Sequence, residues 1–199
     1  MDKRAVVFGH SFIRRLNDFV LCNKHNGWSN LSLYERDILV NLFGFGGGTV
    51  RQGPKCMFQP CLLKVIADDK PDVVFLQVGG NDIKHDSVDP KLLARDITSF
   101  AEFIIDGYDV KHIIVGQLFH RFNANRPYNY NEIVNEVNTH VKLIIKNIDK
   151  LSFWHHRGMW SDSESLIAND GVHLNEKGTL KFANSIRSAL GICMRRGLF

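Results

Sequence analysis

Four short stretches of this sequence hold residue types that can carry chemistry: "GHS" at 9 to 11, "GFGGGT" at 44 to 49, "GGND" at 79 to 82 and "NDGVHLN" at 169 to 175. Together they supply a hydroxyl, a flexible backbone, a carboxamide, a carboxylate and an imidazole. Acyl transfer from an ester needs such a set: a nucleophile, a base to take its proton, and donors aimed at the oxyanion that forms. His10 is the nearest base to Ser11 in sequence. Neighbouring residues leaving a strand project to opposite sides, however, so His10 is poorly placed to serve it. His173 follows Asp170 by three residues across an Asp-Gly turn. That spacing lets the carboxylate fold back to Nδ1–H, fix the tautomer and leave Nε2 for the serine. The reading is a triad of Ser11, Asp170 and His173.

Each stretch also has a plainer reading. Ser11 suits the N-cap of a first helix. Glycines 44 to 48 can simply turn the chain; no Lys-Ser/Thr follows them as a phosphate-binding P-loop requires, and GxGxxG is absent after the first strand. Asn81-Asp82 can form an Asx turn, and Asp170 with His173 can cap the helix that follows. "FHRF" at 119 to 122 either walls an acyl pocket or packs a loop, and the sequence does not decide between the two.

The elements that would position these residues are legible as alternating apolar runs and amphipathic segments. Continuous apolar runs occur at 5 to 9, 37 to 44, 72 to 80, 112 to 119 and 151 to 155, as expected of strands buried on both faces of a parallel sheet. Helical spacing of apolar residues occurs at 11 to 22, 60 to 69, 90 to 107, 129 to 148 and 176 to 193. This alternation predicts a three-layer α/β/α sandwich around a five-stranded, mainly parallel sheet, with the ligand site beyond the carboxyl ends of the strands. All four stretches fall at that edge or just before the last helix.

With the four blocks in this order, the sequence resembles the SGNH hydrolases, the GDSL-like lipase and esterase superfamily, over nearly the whole chain. A fainter likeness is to the esterase-like domains of invertebrate genomes and LINE retrotransposons. The resemblance implies a flavodoxin-like fold and Ser11 as nucleophile. It also implies an oxyanion hole built from the backbone N–H of Ser11, the backbone N–H of Gly47 in "GFGGGT", and the side-chain amide of Asn81 in "GGND". One departure stands out: the family's first block is usually Gly-Asp-Ser, and here His10 takes the middle place. That puts the bracing of the nucleophile turn in question and leaves the triad intact.

Length and composition bound the rest. A chain of 199 residues, 44% hydrophobic, is expected to form a single domain over 1 to 199. The net charge of +4 arises from 25 basic and 21 acidic residues without long runs of one sign. Nucleic acid is therefore not favoured as a partner, and "IRRL" at 13 to 16 and "MRRG" at 194 to 197 read as solvated helix surface. Cys22, Cys56, Cys61 and Cys193 form no CxxC pair and read as reduced thiols. His85, His155 and His156 show no zinc spacing with the cysteines, so no metal is expected, and no cofactor. No stretch approaches a membrane span and no signal peptide is evident, which favours an intracellular, cytoplasmic setting. The expectation is a serine hydrolase of small or exposed acyl esters, acetyl above all, on a small-molecule, glycan or lipid substrate. The alternative is a weakly active or inactive binding module for lipid or nucleic acid on the same fold.

Overall fold

The structure, a computed structural model, describes residues 3–23, 27–33, 36–51, 53–57, 59–123, 125–159 and 163–199, without the side chains at 60, 61 and 163. Five strands, β1 (Lys3–Gly9), β2 (Ile38–Gly44), β3 (Val73–Gln77), β4 (His112–Gly116) and β5 (Leu151–Trp154), form one sheet in the order β2-β1-β3-β4-β5. Every pairing is parallel. Five helices cover its faces: α1 (Ser11–Cys22), α2 (Pro60–Asp69), α3 (Pro90–Tyr108), α4 (Tyr130–Ile145) and α5 (Glu176–Arg195). This is the flavodoxin-like order expected.

The strands alternate their side chains between two cores. Ala5, Val7, Val73, Phe75 and Ile114 face α1 and α5, where Ile13, Leu16, Phe182 and Ile186 meet them. Val6, Phe8, Val74, Leu76, Ile113 and Val115 face the other way, onto Leu63, Ile97, Phe100, Val134 and Val137. The central strands β1, β3 and β4 are buried on both faces, which is why their sequences run apolar without alternation. Edge strands β2 and β5 are only partly buried. Helix α4 is shorter than the apolar spacing predicts, ending at Ile145 in turns at 146 to 150.

Strand order reverses between β1 and its two neighbours, so a crevice opens at the carboxyl ends of β1, β2 and β3. Gly9 pairs with both Gly44 and Gln77, which brings the three ends level. Gly44 has no substitute here. A Cβ on it would stand 2.0 Å from the Arg14 backbone nitrogen, so the missing side chain lets the first turn of α1 settle against the end of β2. Among the described residues no helix is long and apolar enough to cross a membrane.

Candidate active site

Ser11 opens α1 directly after β1. His10 holds the N-cap position, and its side chain caps nothing. Ser11 is thus the first helical residue and not the cap, and its hydroxyl is taken up elsewhere: Oγ lies 2.9 Å from His173 Nε2, across 162 residues of chain. On the far side of the imidazole, Nδ1 lies 2.7 Å from Asp170 Oδ2. The other carboxylate oxygen accepts the backbone N–H groups of Val172 (2.9 Å) and His173 (2.8 Å). Burial pushes the Asp170 carboxyl up, but the backbone donations from His173 and Val172, with the His173 side chain, outweigh it and hold the group down at about 2. The carboxylate is therefore charged wherever the imidazole needs it.

The loop carrying Asp170 and His173 is locally self-bonded. Ile167 and Leu174 bridge across it, Ala168 N donates to His173 O (2.7 Å), and Gly171 N donates to Ala168 O (2.9 Å). Gly171, at φ 67°, takes the left-handed conformation, which disfavours any residue with a Cβ. Its carbonyl accepts the N–H of Phe122 at 2.6 Å, tying this loop to the one after β4. Asn175, not Asp170, caps α5, through Gly178 N at 2.9 Å. Beneath the imidazole, Phe12 packs at 5.9 Å from the His173 ring and in turn on Phe119 and Phe182. Phe119 is thus core, while Phe122 is exposed beside the Asp170 loop.

The Asn81 side chain spans two loops. Its Nδ2 donates to Gly48 O at 3.0 Å and its Oδ1 accepts from Arg121 Nη2 at 2.7 Å. Among the described residues the second N–H of that amide donates no hydrogen bond. Asp82 binds the glycine loop's continuation by accepting from Val50 N (3.1 Å) and Arg51 N (2.9 Å). Burial raises its carboxyl, against those two donations. Asn81-Asp82 is therefore a junction between loops. Gly47, at φ 76°, lies between Asn81's partner Gly48 and Gly46.

His10 points away from Ser11 into the interior, as strand geometry predicts. It is 2% exposed, its Nδ1 has no hydrogen-bond partner among the described residues, and burial, then the charge of Arg121 and that of His173, push it down to about 3. A neutral imidazole stands where the resemblance leads one to expect a carboxylate. His156 is likewise buried, packed between Ser185 (2.8 Å) and Gln77 (3.3 Å). Cys22, Cys56 and Cys193 are free thiols, and the Cys61 side chain lies outside the described residues. No group of three His, Cys, Asp or Glu able to hold a metal occurs among the described residues.

Three cations escaped the sequence reading. Arg15 does not merely solvate α1 but reaches Asp170 Oδ2 at 3.4 Å. Arg14 lies along the glycine loop, its Nη1 3.4 Å from where a Gly46 Cβ would be. Arg121 contacts Asn81 and stacks over Tyr130 at 4.9 Å. The position of Arg15 on the helix face of Ser11 (i, i+4) was the available signal.

No sequence among the curated proteins matches the chain. Solved structures do. A carbohydrate acetylesterase family member from Sinorhizobium meliloti is 15% identical, covering 96% of this chain and 99% of that one, with a TM-score of 0.69. A lipase/acylhydrolase from Enterococcus faecalis is 16% identical over 98% of this chain and 96% of that one, TM-score 0.67. An acetylxylan esterase from Geobacillus stearothermophilus is 18% identical over 92% of each, TM-score 0.63. At such identities the likeness is one of fold. The family model described as GDSL-like Lipase/Acylhydrolase matches residues 7–180, a span that takes in all four stretches, and the chain belongs to that family.

Proposed function

We propose that this chain is a single-domain serine hydrolase of carboxylic esters, working through an acyl-enzyme on Ser11. The observation that carries the reading is the continuous relay from Ser11 Oγ through His173 to Asp170, at 2.9 and 2.7 Å. As Oγ attacks the ester carbonyl, its proton passes to His173 Nε2. Asp170 holds the ring's tautomer and balances the imidazolium. The oxyanion of the tetrahedral intermediate is met by the N–H groups of Ser11 and Gly47 and by the free amide N–H of Asn81. His173 then protonates the departing alkoxide, leaving Ser11 acylated. Water, deprotonated by His173, attacks the acyl carbon, and collapse returns the proton to Ser11 with release of the acid.

Short acyl groups, acetyl first, fit this reading. The aromatic residues below the imidazole are spent on packing one another. The fold neighbours named for acetyl ester cleavage point the same way.

A fluorophosphonate probe followed by peptide mass spectrometry tests the reading: it should label Ser11. Hydrolysis of p-nitrophenyl acetate should vanish in Ser11→Ala and fall comparably in His173→Ala, because such groups act as a unit. A protein that takes no label and turns over no ester would instead be the binding module weighed above.

A further inference from the structure

The rim of the site is lined by positive charge that its own carboxylates do not use. Arg14 lies one turn after Ser11 on α1, on the same helix face. Its guanidinium rests against Gly46, with Nη1 3.4 Å and Cζ 3.7 Å from the position a Cβ there would occupy. Lys55 comes to the next residue of the same loop, Nζ standing 3.0 Å from the position of a Gly47 Cβ. Both side chains are exposed. Neither has a carboxylate within ion-pair distance among the described residues. The carboxylates at the site are committed: Asp170 to His173 and Arg15, Asp82 to two backbone N–H groups, and Asp96 to Arg51. The first turn of α1 contains no acidic residue either. Two free cations therefore sit on consecutive glycines of one loop, where the absence of side chains brings them against the backbone next to the nucleophile.

We propose that the ester this site takes carries an anionic group, held by Arg14 and Lys55 across the glycine loop beside Ser11. The inference rests on the hydrolase reading and adds the substrate's charge to it. A carboxylate, sulfate or phosphate on the alcohol half would lie over Gly46 and Gly47 while the acyl carbon lies at Ser11. Arg14 offers a planar fork of donors and Lys55 a point charge, a combination suited to an oxyanion of either planar or tetrahedral shape.

The test compares two esters of nearly equal size, the anionic 3-acetoxybenzoate and the neutral 3-acetoxybenzamide. The neutral amide has the slightly better leaving group, so intrinsic reactivity works against the expected result. The expected kcat/KM ratio favours the benzoate by about five- to tenfold at low salt and falls toward unity in concentrated NaCl, as screened surface charges require. Arg14→Gln with Lys55→Gln should abolish that preference. Arg14→Lys with Lys55→Arg should retain it, as should Lys150→Gln at the opposite edge of the sheet. Turnover of the amide without a preference for the benzoate overturns the inference and leaves the hydrolase intact, as does a preference that survives in the double glutamine variant, which takes these two residues out of it. Turnover of neither ester, with no fluorophosphonate label, overturns the hydrolase reading and this inference with it.

Discussion

Arg121 and Asn81, forty residues apart, meet in a hydrogen bond of 2.7 Å that fixes which way the asparagine amide faces. With Oδ1 turned to the guanidinium, Nδ2 must face Gly48 and the space above the glycine loop. Arg121 is itself anchored at its backbone, donating to Asn131 Oδ1 and accepting from Asn131 Nδ2. Without it the amide can rotate, and on the proposed reading it would then present oxygen where a donor is needed.

Asn81→Ala should lower kcat by roughly 10²- to 10³-fold, the usual cost of one oxyanion donor. Arg121→Leu should lower kcat by less, on the order of tenfold, with KM little changed for a neutral acetate. Since Arg121 acts through Asn81, the double variant should match Asn81→Ala alone. Additive losses in steady-state kinetics would show that Arg121 acts independently.

Asp170→Asn keeps the shape of the loop but replaces a carboxylate with an amide able to donate to the imidazole. The ring then settles in the wrong tautomer, and kcat should fall by roughly 10³- to 10⁴-fold. Ser11 should also react more slowly with fluorophosphonate, while the thermal midpoint changes little.

Gly171→Ala meets two obstacles at once. The residue has φ 67°, and a Cβ there would stand 2.5 Å from Asn123 N and 2.8 Å from the Phe122 carbonyl carbon. Strain of about 1–3 kcal/mol is expected, relieved by parting the Asp170 loop from the one after β4. The measurable outcome is a lower unfolding midpoint in urea together with loss of esterase turnover. A variant with unchanged values for both would show that the two loops are not coupled.

The buried imidazoles make stability depend on pH. Burial, with lesser contributions from Arg121 and His173, keeps His10 down at about 3, and burial with His155 does the same for His156. In the unfolded chain both titrate near 6.5, so below that pH the unfolded state takes up protons that the folded state refuses. Each site then weakens folding by about 1.4 kcal/mol per pH unit on the way down from 6.5 toward 3, and by about 2 kcal/mol at pH 5. Urea titrations at pH 7 and 5 should show this drop, and His10→Asn should flatten the dependence by about half.

How much of this was readable from residues alone follows from the range over which each feature is encoded. Strands β1, β3 and β4 declare themselves because burial on both faces leaves no polar residue in "AVVF", "VVFL" or "IIV". That Ser11, Asp170 and His173 come together is legible because they stand at strand and loop ends, and Asp170 and His173 lie close in sequence. Arg121 is not legible. It sits in a stretch whose phenylalanines draw attention, and its partner is set by how the loops after β3 and β4 meet, which no local pattern records. Arg14 and Arg15 look like ordinary helix surface for a similar reason: what they touch, Gly46 and Asp170, is supplied by other parts of the chain. Of the two readings open for Ser11, the cap falls away because His10 holds that position and the Ser11 hydroxyl meets His173.

The bond between Ser11 and His173 joins the first turn of α1 to the loop just ahead of α5. Ser11 therefore stands without its partner until the loop ahead of α5 has closed onto α1. Turnover on the proposed reading therefore waits on that long-range closure, and a colorimetric assay doubles as a clock for it. Two separately expressed halves, each silent, should regain colour only when they reassociate.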